Sequence, residues 1–229
     1  MTFALFDIET QIDWKLIEDV EDVGKHEFIE ILRDEQHRNL LEDVFVPHTY
    51  HLPIVIGLGT VSSAGELTHV GCVRGDDSED ITREFWDWVK RFQAAPTRGT
   101  LVSFNGRSFD MPVLELAALR YGIKIPAHFN EQYGNRYRFQ QDWHLDTMDF
   151  LTGHGATRLR GGLRMLSAIC GVPSQPLVSH SNLEEVPLER MQRWCRNDVR
   201  RLYVVFQTLQ YVRGRAEALP AKPELEDES

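Results

Sequence analysis

Four carboxylates in three widely separated stretches are the residues here whose types and spacing could do chemistry. The stretch FALFDIET, residues 3–10, runs apolar and then presents Asp7 and Glu9 one residue apart. In a strand these two share a face with Phe3 and Leu5, their Cα atoms roughly 6.5–7 Å apart. Like charges at the end of an inward face fit either a strand that has run out into solvent or a divalent cation between them. Carboxylate oxygens are hard ligands, suited to Mg²⁺ or Mn²⁺. In SFNGRSFDMPVL, residues 103–114, Asp110 stands two residues before Pro112 at the start of an apolar-periodic helix. It reads as an ordinary N-cap or as a ligand aimed at the same cation. Asn105-Gly106 supplies a tight turn and an amide able to touch a substrate. In WCRNDVRRLYVVF, residues 194–206, Asp198 falls on the helical face of Trp194, Leu202 and Val205. A carboxylate on an apolar stripe needs a partner, either Arg201 one turn on or a metal. Asp146 and Asp149 precede the glycine-rich TGHGATRLRGG as site support or as turn residues.

The elements that must position these acids follow from periodicity. Strands are expected at 3–10, 52–63 and 64–75, with a turn at Ala64-Gly65, and at 100–106. Helices are expected at 78–93 with Ser78 as N-cap, at 112–123, at 163–172 ended by Gly171 and Pro173, and at 188–214. Residues 143–151 read as short and mixed. The segment after Thr10 spaces Leu16, Ile17, Val20 and Val23, then Phe28, Ile29, Ile31 and Leu32, as one or two amphipathic helices broken near Gly24. Strands first and then alternating elements indicate an α/β domain over a mixed sheet.

With 229 residues, 42% hydrophobic and 26% charged, the chain suits one large domain or two small ones. Neither a secretory signal nor a membrane span is indicated. Cys72, Cys170 and Cys195 form neither a zinc pattern nor a disulfide framework, so a reducing cytoplasm is the expected setting. A net charge of −10 argues at first against a nucleic-acid partner. The distribution removes that objection. Residues 13–43 carry eleven Asp/Glu against four Lys/Arg, whereas residues 98–164 carry nine Lys/Arg against six Asp/Glu.

In order, FDIET, FNGRSFDMPVL and CRNDVRRLY resemble the three motifs of the DEDD exonuclease superfamily. The likeness is nearest to predicted exonucleases related to the proofreading domain of family B DNA polymerases. HLDTMDFL and LRMLSAICGVP are similar to that family's intervening segments, and the likeness runs from Thr2 to about Gln210. The resemblance implies an RNase H-like mixed sheet flanked by helices over residues 1–212. Residues 13–43 would be an acidic helical insertion and residues 213–229 a disordered acidic tail. It implies a 3′→5′ exonuclease acting on single-stranded DNA or RNA 3′ ends with two divalent cations, Mg²⁺ or Mn²⁺. Asp7 would bridge both ions, Glu9 and Asp198 would complete one, and Asp110 would help to hold the other through water. Thr10, Asn105, Phe109, Trp194, Arg158 and Arg160 are the implied substrate contacts, with Arg136, Arg138 and Arg164 as further candidates to track the backbone. One position departs from the family. A Tyr four residues before the third-motif Asp, or a His five before, usually orients the attacking water; here Trp194 and Arg193 stand there. Indole only donates, and guanidinium is no base at neutral pH. His154 or His180 could substitute from a nearby loop. The alternative is a catalytically weakened module that binds nucleic acid, or a protein partner through residues 13–43.

Overall fold

The computed structural model describes residues 2–36, 44–95, 99–130, 132, 134–159, 161–173 and 186–227. Its centre is β1 (Thr2–Ile12), paired antiparallel with β2 (His51–Val61) and parallel with β4 (Gly99–Ser103). β3 (Leu67–Cys72) lies antiparallel on β2 and β5 (His144–Asp146) parallel on β4, giving the order β3-β2-β1-β4-β5. This is the mixed sheet that the sequence leads one to expect.

Strand alternation divides the core into two layers. Ala4, Phe6 and Ile8 share one cluster with Phe85 and Trp86 of α3 (Ser78–Ala94) and with Met111 and Leu114 of α4 (Asp110–Arg120). Leu5 belongs to the other, with Leu163 of α6 (Gly162–Ile169) and Val199, Leu202 and Phe206 of α7 (Leu188–Val212). Asp7 and Glu9 follow Leu5 on its side of the strand and therefore face α7. Two glycines set how near α7 comes. Gly57 is opposite Asp7 in the β1–β2 register and Gly59 opposite Leu5. A Cβ at Gly57 would stand 2.9 Å from Cys195 Sγ, and one at Gly59 2.6 Å from a methyl of Val199. The helix thus rests on bare backbone. Beyond Glu9 the register shifts, with Glu9 opposite Val55 and Thr10 opposite Pro53, so Ile54 is an extra residue that bends the sheet beside the acids.

The acidic segment folds as α1 (Trp14–Glu21) and α2 (Lys25–Gln36) around its own cluster of Ile17, Phe28, Leu32 and Val46. Asp13 caps α1 through the amide of Leu16 at 3.1 Å and pairs with Arg120 at 2.5 Å, which ties the segment to α4. Residues 37–43 lie outside the described part. Asp77, not Ser78, caps α3, taking the amide of Asp80 at 2.9 Å. A short helix, α5 (Thr147–Leu151), follows β5.

The tail corrects the expectation of disorder. Within residues 213–227, Leu225 packs on the α7 cluster. The Glu226 carboxylate takes hydrogen bonds from Arg196 at 2.8 and 2.5 Å and from Arg200 at 2.7 Å. The buried side-chain amide of Asn197 donates to the Glu226 carbonyl at 2.9 Å and accepts its N–H at 2.8 Å. Composition suggested a solvated acidic end; one leucine and a matched arginine pair, spaced by one helical turn, give it a seat. The Arg196 hydrogen bond, with Arg200 adding to it, outweighs partial burial and lowers Glu226 from 4.5 to about 2. A depressed carboxyl contributes stability that is complete above its unfolded value and is lost as pH falls toward its folded one. With partial exposure discounted, this amounts to about 1–2 kcal/mol. Glu226→Gln is expected to lower the melting temperature at pH 7 by about 2–6 °C, followed by circular dichroism. The difference from the parent should close between pH 4.5 and about 2.

Candidate metal centre

Asp7, Glu9 and Asp198 converge where β1 meets α7. One carboxylate oxygen from each lies within 4.8 Å of the others, and all three side chains are half-buried. The alternatives weighed for Asp198 prove compatible. Its Oδ1 accepts from the buried Arg201 guanidinium at 2.6 Å, while the carboxylate also joins Asp7 and Glu9. Cys195, buried one turn before Val199, sits under the cluster. Its thiol lies 3.2 Å from the Asp7 carbonyl oxygen and 3.5 Å from Asp7 Oδ2, and its sulfur accepts the Gly57 amide at 3.1 Å. Burial, reinforced by the charges of Asp7 and Glu9, pushes the Cys195 thiol well above its usual range, so it serves as a neutral donor.

Asp110 is 5% exposed and stands outside that trio, yet belongs to its electrostatics. It does not act as the N-cap. Phe109 holds that place without a side-chain hydrogen bond, and Asp110 is the first residue of α4. Burial raises its carboxyl to about 7 against the pull of its own amide and that of Ile8, with Asp146 adding to the rise. Asp7 is raised well above the carboxylate range by burial first, then by Asp198, Asp110 and Glu9; the Cys195 thiol opposes this. The donor set fits a hard divalent cation: every ligating atom is a carboxylate oxygen, and packing holds the acids against their own repulsion.

Asp146 has a structural role. Buried at the end of β5, it accepts the amides of Asn105 and Arg107, both at 2.9 Å, and those of Met148 at 3.0 and Asp149 at 3.1 Å. It therefore caps α5 and holds the second-motif loop. In that loop Asn105 takes φ +61°, and a Cβ at Gly106 would meet Ser103 Oγ at 2.4 Å. Arg107 fastens the loop's outer side, donating to the carbonyls of Asn135 and Arg136 at 3.0 Å and of His144 at 2.6 Å. Thr10 is buried beside the trio, its hydroxyl 2.7 Å from His51 Nδ1, and Phe109 is half-buried against the His51 ring.

Other expected contacts stand elsewhere. Trp194 is 1% exposed, packed in a cluster with Val55, Met191 and Cys195, so the indole serves the α7–β2 contact and not a substrate surface. Arg158 is exposed before α6, and Arg160 and His180 lie outside the described residues. Arg136 pairs with Glu115 at 3.2 Å and Arg138 with Asp149. His154 is engaged by Asp149 at 3.1 Å, which leaves Asp149 a partner to basic side chains. Sequence reasoning missed Gly57, Cys195, Arg107 and His51. The alternating glycines in VIGLG were a readable sign of close helix approach, and the other three carried none.

Neutralising one acid should relieve the repulsion. In metal-stripped protein at pH 7, Asp7→Asn is expected to raise the melting temperature, and the gain should shrink as pH falls toward 4. A raised carboxyl costs stability once pH exceeds its unfolded value, and that cost disappears in acid. Differential scanning calorimetry in EDTA reads the sign; a lower melting temperature would mean that hydrogen bonds to Asp7 outweigh the repulsion.

None of the curated proteins compared matches the sequence. Among solved structures, the family B DNA polymerase of Pyrobaculum calidifontis is similar over 92% of this chain and 24% of its own length, at 17% identity and a TM-score of 0.55. The zinc-bound E. coli ExoI–ssDNA complex is similar over 93% of this chain and 41% of its own, at 13% identity and a TM-score of 0.43. The chain thus spans about a quarter of that polymerase, and the polymerase likeness establishes the fold. The family description "predicted 3′-5′ exonuclease related to the exonuclease domain of PolB" matches residues 43–227. With most of its length matched and its sheet mixed as expected, the chain belongs to this family of PolB-related predicted 3′–5′ exonucleases.

Proposed function

We propose that the protein is a metal-dependent 3′→5′ exonuclease that hydrolyses the terminal phosphodiester of single-stranded DNA or RNA, and that residues 1–212 form its nuclease domain. The observation that carries this reading is the convergence of Asp7, Glu9 and Asp198 within 4.8 Å, with buried Asp110 acting on the same charges. Asp7, Glu9 and Asp198 would hold one divalent cation, Mg²⁺ or Mn²⁺, and Asp7 with Asp110 a second. When bound, such ions supply an acidified water and a charge clamp on the leaving 3′ oxygen. The protein's own part is to aim the carboxylates and to offset some of the burial that favours their protonated forms. Arg201 fixes one oxygen of Asp198, the Cys195 thiol braces Asp7, and the Ile8 amide favours the charged form of Asp110.

Trp194 does not argue for lost catalysis on this reading. Its side chain is core, so orienting the water would fall to the carboxylates, and acidifying it to the cation they would hold. The three free cysteines fit a reducing cytoplasm, and among the described residues no helix is long and apolar enough to cross a membrane. The weakened-module alternative has one feature in its favour, the acid-rich segment of α1 and α2, folded around its own apolar cluster, as a surface for a protein partner.

A time course on a 5′-labelled single-stranded oligonucleotide with Mn²⁺ or Mg²⁺ tests the proposal. A descending ladder that needs metal and is at least about 10³-fold slower with Asp7→Ala is expected. Cleavage of circular single strands would make the enzyme an endonuclease. No cleavage by folded, metal-loaded protein would favour the binding module.

A further inference from the structure

Away from the acids, a cavity of about 1330 Å³ is shared by the sheet, α7 and the docked tail. Phe3 and Thr100, near the starts of β1 and β4, line it, as do residues 215–223 of the tail. Phe3 comes four residues before Asp7 on one strand, which sets the cavity roughly 13 Å along the sheet from the carboxylates. Sites for small molecules enclose about 300–1,000 Å³, so a mononucleotide has ample room here.

Groups at the end of α7 define what a ligand must carry. Gln210 lines the cavity and is 6% exposed, and its Oε1 has no hydrogen-bond partner among the described residues. A buried acceptor left unpaired costs free energy that an N–H of a ligand recovers. Arg213 and Arg215 line the same cavity, and neither has a carboxylate partner among the described residues. The Arg215 amide donates to the Gln210 carbonyl at 2.8 Å, so acceptor and cations belong to one turn of chain. The Arg213 guanidinium lies over the Phe150 ring, 4.4 Å from its centroid, and a ring against its face occupies none of the in-plane N–H donors. Burial and then the charge of Arg215 both lower Arg213. No carboxylate of the described residues opposes them, although Glu66, Asp142 and Glu217 also line the cavity. An anion beside the two arginines relieves that repulsion.

We infer that this cavity is a second site, apart from the metal centre, for a nucleoside 5′-monophosphate whose base carries an amino group. The amino group donates to Gln210 Oε1 and the phosphate lies on Arg213 and Arg215, with Phe3, Leu219 and Pro220 as apolar walls. The site takes its ligand class from the nuclease reading, in which 5′-mononucleotides are the product released, but its binding is tested apart from cleavage.

Equilibrium dialysis of the full chain against labelled AMP and dAMP, in EDTA so that no cation serves the carboxylates, is the test. Saturable binding of at least one of them is expected, and Asp7→Ala should keep it. Arg215→Ala should weaken it about 10–100-fold, the loss of a hydrogen bond to a charged group. Purine riboside 5′-monophosphate, which lacks the amino group, should bind the parent about 5–50-fold more weakly than AMP, and Gln210→Leu should erase that difference between the two nucleotides. A merely structural role for Gln210 would not do so. Binding that Asp7→Ala abolishes puts the ligand at the acids and overturns the second site. No binding at millimolar nucleotide overturns it too, as does binding that neither Gln210→Leu nor Arg215→Ala changes, or inorganic phosphate binding as tightly as the nucleotide. The expected binding pattern without cleavage of any oligonucleotide would sink the nuclease reading alone.

Discussion

Repulsion among acids is the constraint around which this molecule is arranged. Asp7, Glu9 and Asp198 place oxygens within 4.8 Å of one another at the junction of strand and helix, and Asp110 adds its field from the head of α4. Left to itself such a cluster would disperse into water or take up protons. Here it is held by a core that does not depend on it. Ala4, Phe6 and Ile8 anchor one face of β1 while Leu5 and α7 anchor the other. The result is a set of mutually repelling carboxylates that a divalent cation would relieve.

The surrounding contacts make sense as ways of fixing those carboxylates. Gly57 and Gly59 let α7 lie on the sheet backbone, which brings Asp198 down to Asp7 and leaves room for the Cys195 thiol between helix and strand. Arg201, buried in the same helix, holds Asp198 from behind. Asp146 gathers the amides of the second-motif loop and so sets where α4 begins. The tail closes on Asn197, next to Asp198 in the chain, and ties the outer side of α7. Apart from the Arg201–Asp198 pair within α7, each of these contacts joins segments far apart in sequence near an acid.

That pattern explains what could be read beforehand. Strand parity put Asp7 and Glu9 on the side of Leu5, and the helical wheel put Asp198 on the buried stripe, because period and polarity are local properties of the chain. The fold class was legible for the same reason, together with the order of its motifs. Asp110 was ambiguous because a cap and a ligand have the same local sequence, and only its place as first helical residue, with Phe109 before it, separates them. Trp194 was misjudged as a substrate contact because sequence gives its motif position and not the close packing of α7 on β2. His51 and the docked tail were out of reach: each depends on a partner more than twenty residues away.

The most direct measurement of the central claim is anomalous diffraction from crystals of the protein soaked in Mn²⁺. The account predicts two manganese sites, one among Asp7, Glu9 and Asp198 and a second between Asp7 and Asp110. Manganese bound elsewhere, or none at these carboxylates at saturating concentration, would contradict it.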